Sequence, residues 1–157
     1  MYYTEFDSEF GQIILIGDEN GLFKLSIKTK ENKINLDEFE KNDEFFKSIK
    51  KQLIEYFNKE RKTFDIKLNL KGSEFQKKVW NELLNIPYGT VCTYKDIAIK
   101  IGNEKASRAV GMANNKNNIP IIIPCHRVIG SNKKLVGYAY GLDMKEKLIN
   151  LEKIIKN

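Results

Sequence analysis

Short runs in which apolar residues dominate or alternate with polar ones predict strands in the first third of the chain. Three such runs cover residues 3–6, 12–16 and 22–27. Between the last two lies the segment 18–21, Asp-Glu-Asn-Gly, which has the residues of a tight hairpin turn. We therefore expect an antiparallel meander at the start of the chain.

A helix and a further strand complete this first region. Phe46, Ile49, Leu53 and Phe57 recur at the spacing of one face of an amphipathic helix. Residues 64–70 alternate between apolar and polar, as a half-buried strand does. The pattern predicts a small α+β domain made of a sheet and one helix.

The second region is predicted to be mostly helical. Lys71-Gly72 marks the boundary, which places the two domains at residues 1–71 and 72–157. Ser73 and Thr93 each open a helix, because each is followed three residues later by a side chain that completes a capping box. The fold class expected for the whole chain is α+β.

Two short helices joined by a tight turn at Gly102 are typical of a helix-turn-helix. The second helix of the pair is predicted to begin after Asn103. Its inward face is expected to carry Ala106, Ala109, Val110 and Ala113. Its outward face is expected to carry Arg108, Gly111, Met112 and Asn115. An exposed arginine there suits contact with nucleic acid, and a solvated surface arginine is the alternative.

The distribution of charge favours a polyanionic partner for the second region. The net charge of the 157 residues is +6. Residues 1–72 hold 13 basic and 14 acidic side chains, whereas residues 73–157 hold 14 basic and 7 acidic ones. A lysine-rich proteome would give the same excess, so charge alone leaves both interpretations open. No long apolar run or signal-peptide pattern occurs, so a cytoplasmic location without membrane contact is expected.

Cysteine and histidine are scarce, with Cys92, Cys125 and His126 as their full set. This excludes a disulfide framework and a zinc site made of four Cys and His ligands. Pro120 and Pro124 favour extended geometry at Ile119 and Ile123, and the isoleucines between the two prolines favour a buried strand that delivers Cys125 to its end. His126 and Arg127 follow that cysteine, and a nearby base or cation lowers the pKa of a thiol and activates it. An inert buried cysteine is the alternative, and it is the interpretation we favour for Cys92.

The last helix is expected from about Asp143 to Ile155. Met144, Leu148, Leu151 and Ile155 form its apolar face. Glu152 lies at the edge of that face, where it either meets a partly buried partner such as His126 or stays exposed to solvent.

The motif Pro-Cys-His-Arg-Val-Ile at residues 124–129 is preceded by Arg-Ala-Val-Gly at 108–111 and by Asn117, and is followed by Gly-Tyr-Ala at 137–139. In this order and spacing it closely resembles the O6-alkylguanine-DNA alkyltransferases, also called methylated-DNA–protein-cysteine methyltransferases. The likeness runs from about Ser73 to Glu152. Before it, the likeness is only architectural, and the family's N-terminal domain is ribonuclease H-like.

The resemblance implies DNA repair by direct reversal of damage. Cys125 would take the alkyl group from O6-alkylguanine irreversibly, with O4-methylthymine as a second candidate substrate, so each molecule acts once. His126 would deprotonate Cys125 through a water, and Glu152 would hold His126. Asn117 would tie the helix-turn-helix to this segment, which Arg127 would also support. Neither a cofactor nor a metal is expected.

The resemblance also implies that the partner is double-stranded DNA that carries the lesion. A monomer of the protein would bind this DNA in the minor groove. Arg108 would fill the gap left by the flipped nucleotide, and Tyr94 would crowd the adjacent phosphate. Tyr94 also shares a face with Ile97 and Ala98, so a core position is the alternative. Gly111, Met112 and Asn115 would contact DNA beside Arg108.

Four residues would line the guanine pocket: Val128, Tyr138, Ala139 and Tyr140. Many family members have glycine where this chain has Tyr140, so a narrower pocket is expected. Asn118 stands where many have proline.

Three other functions compete with repair. An alkyltransferase-like protein binds alkylated DNA without repairing it, but such proteins lack the reactive cysteine. A helix-turn-helix transcription regulator would bind one operator sequence, commonly as a dimer. A cysteine hydrolase would need an oxyanion hole, to which nothing in the sequence points.

Overall fold

The chain divides into an N-terminal unit, Met1–Leu70, and a C-terminal unit, Lys71–Asn157. The computed structural model describes residues 1–28, 34–132 and 137–153. The N-terminal unit holds a sheet and one helix, and the C-terminal unit is mostly helical. The α+β class predicted from the sequence pattern is confirmed.

The predicted meander is present as three antiparallel strands, β1 (Tyr2–Ser8), β2 (Gly11–Asp18) and β3 (Gly21–Lys28). A two-residue strand, β4 (Glu40–Lys41), pairs in parallel with β1 and gives the order β3-β2-β1-β4. The sequence did not predict β4, because two exposed charged residues carry no apolar pattern. Backbone pairing alone defines this edge strand.

The helix of the N-terminal unit, α1 (Lys47–Phe57), buries the apolar face that its spacing predicts. Leu53 and Phe57 are buried, whereas Ile49 is half-buried. The ring of Phe57 lies 5.1 Å from that of Phe10, which follows β1 in the chain. These aromatic contacts form the core between the sheet and α1.

The strand predicted at residues 64–70 is wrong, although the alternation behind it is real. Phe64, Ile66 and Leu68 are half-buried and the residues between them are exposed. Only Leu68 forms a bridge, with Leu22 of β3. The side-chain amide of Gln52 bonds both the N–H and the C=O of Asp65, at 2.9 and 3.0 Å. The backbone of Lys67 and Asn69 does bond Leu22, at 2.9 Å each, but at Asp65 a side chain supplies the hydrogen bonds that a neighbouring strand would give.

In residues 71–132 and 137–153, the C-terminal unit shows four α-helices and a short parallel strand pair. The helices are α2 (Glu74–Leu83), α3 (Tyr94–Lys100), α4 (Ser107–Asn115) and α5 (Leu142–Lys153). The strands are β5 (Cys92–Thr93) and β6 (Val128–Ile129).

The helix starts at Ser73 and Thr93 are confirmed, because both capping boxes have both hydrogen bonds. None of the helices in the described ranges has the length and apolar character needed to cross a membrane. The predicted end of the last helix at Ile155 lies outside the described residues.

Helix α4 differs from its prediction in its start and in its buried face. It begins at Ser107 rather than directly after Asn103, because the N–H of Ala106 bonds the C=O of Asn103 and closes a turn first. Ala109 is exposed, so its predicted inward position is wrong, and Asn114 is buried.

The buried face of α4 differs from the predicted one because α4 packs against both α2 and α3. On the α2 side, the buried Trp80 donates a hydrogen bond from Nε1 to the C=O of Ala113, at 2.9 Å. The face that meets both neighbours is centred on Val110, Ala113 and Asn114 rather than on Ala109.

Candidate active site

The segment that leads to Cys125 is a tight turn, so the strand predicted for the isoleucines between Pro120 and Pro124 is wrong. The N–H of Ile123 bonds the C=O of Ile119 at 2.9 Å. Ile121 between them has a φ of 75°, in the left-handed region that β-branched residues rarely adopt. Pro120 and Pro124 have no N–H to donate, which disfavours a regular strand at both positions.

Asn117 braces this turn. Its Nδ2 donates to the C=O of Ile123 and its Oδ1 accepts from the N–H of Ile119, both at 2.9 Å. The same side chain acts to lower the pKa of the Cys125 thiol, against the larger effect of burial. The asparagine therefore fixes the strained turn and favours ionisation of the sulfur that follows it.

Cys125 opens a 3₁₀ turn, Cys125–Arg127, and is 4% exposed. Burial raises the pKa of its thiol to about 11, and the hydrogen bond from Asn117 and the charge of Lys145 pull that pKa downward. The expectation that neighbouring cations leave this thiol with a lowered pKa is wrong for the resting protein. Desolvation outweighs them, and Arg127 directs its charge to Glu152.

His126 is fully buried and lies against α5. Its Nε2 is 2.7 Å from Oε2 of Glu152, which is itself only 2% exposed. Burial lowers the pKa of His126, against the opposing pull of Glu152, so the imidazole is neutral at pH 7. An ionised carboxylate can only accept a hydrogen bond, which places the imidazole proton on Nε2. His126 Nδ1 is left as the basic nitrogen, buried and without a hydrogen-bond partner among the described residues.

Arg127 lies on the other side of the same carboxylate. Its Nε donates to Oε1 of Glu152 at 2.8 Å, and its Nη2 donates to Oε2 at 3.0 Å. Its Nη1 donates to the C=O of Ile86 at 2.7 Å. Although burial acts to raise the pKa of Glu152, the bonds and charges of His126 and Arg127 hold it well below its usual value.

Lys145 is a residue that the sequence analysis missed. It is fully buried, donates to the C=O of Gly137 at 3.1 Å, and holds its Nζ 5.9 Å from the centre of the Tyr94 ring. Burial lowers its pKa to about 8, and the charge of Cys125 opposes that change. The signal that was available is its helical spacing, because Lys145 precedes Glu152 by two turns of α5.

The residues expected to line the guanine pocket lie in different environments. Val128 is buried, Ala139 is exposed, and Tyr138 and Tyr140 are half-buried with ring centres 6.1 Å apart. The Tyr138 hydroxyl is buried, and burial together with Cys125 raises its pKa. Tyr138 is therefore near enough to Cys125 to interact with it electrostatically.

The outward face of α4 contains the residues expected to contact DNA. Arg108 and Asn115 are exposed, and Met112 is 65% exposed. Gly111 faces Tyr94, whose ring would lie 3.9 Å from a Cβ added at that glycine.

Tyr94 is half-buried and is not part of the hydrophobic core. Burial, and then the charge of Cys125, raise its pKa. Its hydroxyl would lie 3.5 Å from a Cβ added at Gly137, as would the amide of Asn115. The structure thus brings Tyr94 to the site side of the unit, close to Lys145.

Cys92 is half-buried in β5, where it pairs with Val128 of β6, and burial raises its pKa to about 11. Within residues 1–28, 34–132 and 137–153, no group of three or more His, Cys, Asp or Glu side chains is arranged to hold a metal ion.

Two family models match the chain and together cover most of it. Residues 1–70 match the 6-O-methylguanine DNA methyltransferase, ribonuclease-like domain, and residues 74–154 match the 6-O-methylguanine DNA methyltransferase, DNA binding domain. The chain belongs to the 6-O-methylguanine DNA methyltransferase family. The second match contains all the residues singled out above for chemistry or DNA contact.

Curated relatives and a solved structure agree with this family. The methylated-DNA–protein-cysteine methyltransferase of Methanosarcina acetivorans is 56% identical, with 97% of this chain and 98% of the relative covered. The constitutive protein of the same name from Bacillus subtilis is 43% identical, with 98% and 96% covered. A crystal structure of Mycobacterium tuberculosis OGT in complex with DNA is similar at a TM-score of 0.91 and 40% identity, covering 98% of this chain and 94% of that one.

Proposed function

We propose that the chain repairs DNA by transferring the alkyl group of O6-alkylguanine to Sγ of Cys125. The bond between sulfur and the alkyl carbon forms as the bond between that carbon and O6 breaks, and the guanine leaves as its anion. A proton, equal in number to the one that the thiol gave up to His126, then returns the guanine to its normal form. The observation that carries the proposal is the 3₁₀ turn, which holds the buried thiol of Cys125 next to a neutral histidine tethered to Glu152. The thioether product is stable, so each molecule acts once.

The thiol must lose its proton before it attacks, because its pKa lies far above neutrality. His126 takes that proton on Nδ1, through a water, while its Nε2–H stays bonded to Glu152. Lys145 provides a positive charge near the sulfur, which stabilises the thiolate as it forms. Asn117 also favours the thiolate, and it braces the turn that leads to the sulfur.

The DNA partner is a duplex, which the protein binds as a monomer in the minor groove. The exposed Arg108 fills the stack after the nucleotide flips, and Tyr94 crowds the neighbouring phosphate. Gly111, Met112 and Asn115 contact the groove beside Arg108. Relatives that act on methylated DNA, and the OGT structure that contains DNA, support this partner.

The flipped base enters a pocket lined by Val128, Tyr138, Ala139 and Tyr140, where an alkylated thymine is a second candidate substrate. Domain 72–157 carries the chemistry and the DNA contacts, and domain 1–71 carries neither. A cytoplasmic location is part of the same proposal.

The decisive experiment is mass spectrometry of the protein after incubation with a duplex that contains one O6-methylguanine. We expect one added methyl group on the Cys125 peptide and an equal loss of O6-methylguanine from the DNA. The Cys125→Ala variant should bind the duplex without removing the methyl group, and Cys92→Ser should react as the unaltered protein does. Methyl transfer by the Cys125→Ala variant, or an unmodified Cys125 after incubation of the unaltered protein, would refute the proposal.

A further inference from the structure

The carboxylate of Glu152 serves two partners at once. It accepts from His126 Nε2 at 2.7 Å and from two nitrogens of Arg127 at 2.8 and 3.0 Å. The N–H of Gly89 also points to Oε1, at 3.4 Å. All three side chains are almost completely buried. A simple pair of histidine and carboxylate has no such third member.

The net charge of this trio follows from its geometry. The guanidinium is always charged, and its planar fork matches the two oxygens of a carboxylate. The positive charge of Arg127 balances the negative charge of Glu152 at hydrogen-bond distance. The imidazole of His126 therefore faces an ion pair with no net charge rather than a lone carboxylate. A buried carboxylate without such a partner would instead draw a proton onto the imidazole.

We propose that Arg127 is a positioning residue that keeps His126 neutral, in its Nε2–H form, at acidic pH. The histidine stays available as a proton acceptor below pH 6.5, the ordinary pKa of the side chain. The effect on alkyl transfer rests on the proposed function, whereas the effect on the histidine does not.

Other groups around His126 act in the same or the opposite direction. Burial, Arg127 and Lys145 lower its pKa, and Glu152 raises it. Tyr88 lies 5.6 Å from the Arg127 guanidinium and is neutral at these pH values, since its pKa is raised. Glu152 and Lys145 lie on α5, and Cys125 and Arg127 belong to the 3₁₀ turn. Arg127 is the cation of this set that directly bonds the carboxylate.

A second anchor holds the arginine in place. Arg127 Nη1 donates to the C=O of Ile86, in the loop that follows α2, at 2.7 Å. The guanidinium therefore links that loop to α5 across the carboxylate. Its burial and its two bonds to one carboxylate distinguish it from Arg61 in the N-terminal unit. Arg61 also donates to a backbone C=O, that of Thr63, but it and Glu55 are about 30% exposed and are joined by one bond of 3.1 Å.

The test is an NMR titration of the imidazole, which needs no assignment because the chain has one histidine. In the unaltered protein the midpoint should lie below 6.5. In Arg127→Gln, which keeps a donor but loses the charge, and in Arg127→Met, it should rise by about one pH unit or more. Arg127→Lys, which retains a charge, should keep a midpoint nearer to that of the unaltered protein. Arg61→Gln is the matched control and should leave the midpoint unchanged.

The single-turnover rate of methyl transfer from a duplex with O6-methylguanine should follow the same midpoints, with its acid limb moved upward in the uncharged variants. A uniformly lower rate with an unmoved midpoint would show a merely structural arginine and overturn the inference. A midpoint at or above 6.5 in the unaltered protein would overturn it without any variant. If the midpoints move as expected but Cys125 gains no methyl group, the inference stands and the proposed function fails.

Discussion

The ionisation of the Cys125 thiol depends on burial and on two side chains, one near it in the sequence and one far from it. Burial raises the pKa of Cys125 to about 11, and Lys145 and Asn117 act against it. The reactive form therefore depends on a lysine twenty residues away that is itself buried and titrates at about 8. Below that pH the lysine is charged and can assist the thiolate.

Replacing Lys145 with Met should slow the reaction of Cys125 with iodoacetamide at pH 7. Losing one nearby positive charge raises the thiol pKa by about one unit, which reduces the thiolate roughly tenfold. The difference from the unaltered protein should shrink above pH 8, where Lys145 loses its charge.

Peptide mass spectrometry measures the Cys125 rate separately from that of Cys92. Lys147→Met, exposed on the same helix, is the control. Equal Cys125 rates in the Lys145→Met variant and the unaltered protein at pH 7 would contradict this role.

Tyr140 is expected to restrict the alkyl group that the pocket accepts, because its ring lies 6.1 Å from that of Tyr138. In Tyr140→Gly the rate with O6-benzylguanine, relative to O6-methylguanine in the same duplex context, should rise by roughly tenfold. Single-turnover kinetics measure both rates. Ser131→Gly, at an exposed position outside the proposed pocket, should leave the ratio unchanged. An unchanged ratio in Tyr140→Gly would show that the ring lies outside the path of the alkyl group.

Local patterns predicted some residues well and others poorly. Helical spacing placed Glu152 at the edge of an apolar face, and the structure buries it beside His126. Lys145 shares that spacing but was missed, because lysine is almost never fully buried without a partner. The roles of both residues in catalysis stay predictions.

At the scale of elements, α4 presents Arg108 on a face that leaves the side chain exposed while Val110 and Ala113 are buried. This division suits a helix that holds one side chain ready to enter DNA. The turn before it, with Gly102 at a φ of 84°, sets the angle at which α3 leads into α4.

Arg108→Ala should slow repair of duplex DNA by roughly tenfold or more, because the gap left by the flipped base would be unfilled and unstacking costs a few kcal/mol. Reaction with free O6-benzylguanine, which needs no flipping, should be preserved. Lys47→Ala, at an exposed cation of α1 in the N-terminal unit, is the control and should lose little on either substrate. Equal losses on both substrates in Arg108→Ala would remove the role in flipping.

Elements defined by neighbouring residues could be predicted, and elements defined by distant contacts could not. Both capping boxes are contained within four residues, and both form as predicted. The segment 64–70 has the pattern of a strand, but Gln52 takes the hydrogen bonds of Asp65. The turn at Ile121 depends on Asn117 and on the neighbouring prolines. The apolar pattern of this segment does not reveal the turn, because a buried strand has the same pattern.

For the whole molecule, the excess of positive charge belongs to residues 73–157, which also contain the match to the DNA binding domain. The logarithm of the association constant for duplex DNA should therefore fall linearly with the logarithm of the salt concentration. Replacing Lys95 and Lys105 with Gln, both exposed in this unit, should reduce the slope by about two. The same change at the exposed Lys47 and Lys50 of α1 should leave it unaltered.

Fluorescence anisotropy of a labelled duplex between 50 and 200 mM salt, the range over which phosphate contacts alter affinity by orders of magnitude, measures these slopes. Affinity independent of salt would contradict phosphate contact. Equal effects of the two lysine pairs would contradict the assignment of DNA binding to the second domain.

The single tryptophan of the chain gives this protein an internal optical probe. Trp80 is buried, and its indole N–H bonds the carbonyl of Ala113 in α4. Its emission therefore depends on the contact between α2 and the helix that carries Arg108. A shift to longer wavelength during a DNA titration would mean that water reaches the indole as α4 moves. An unchanged spectrum would mean that α4 meets DNA as a rigid part of its unit.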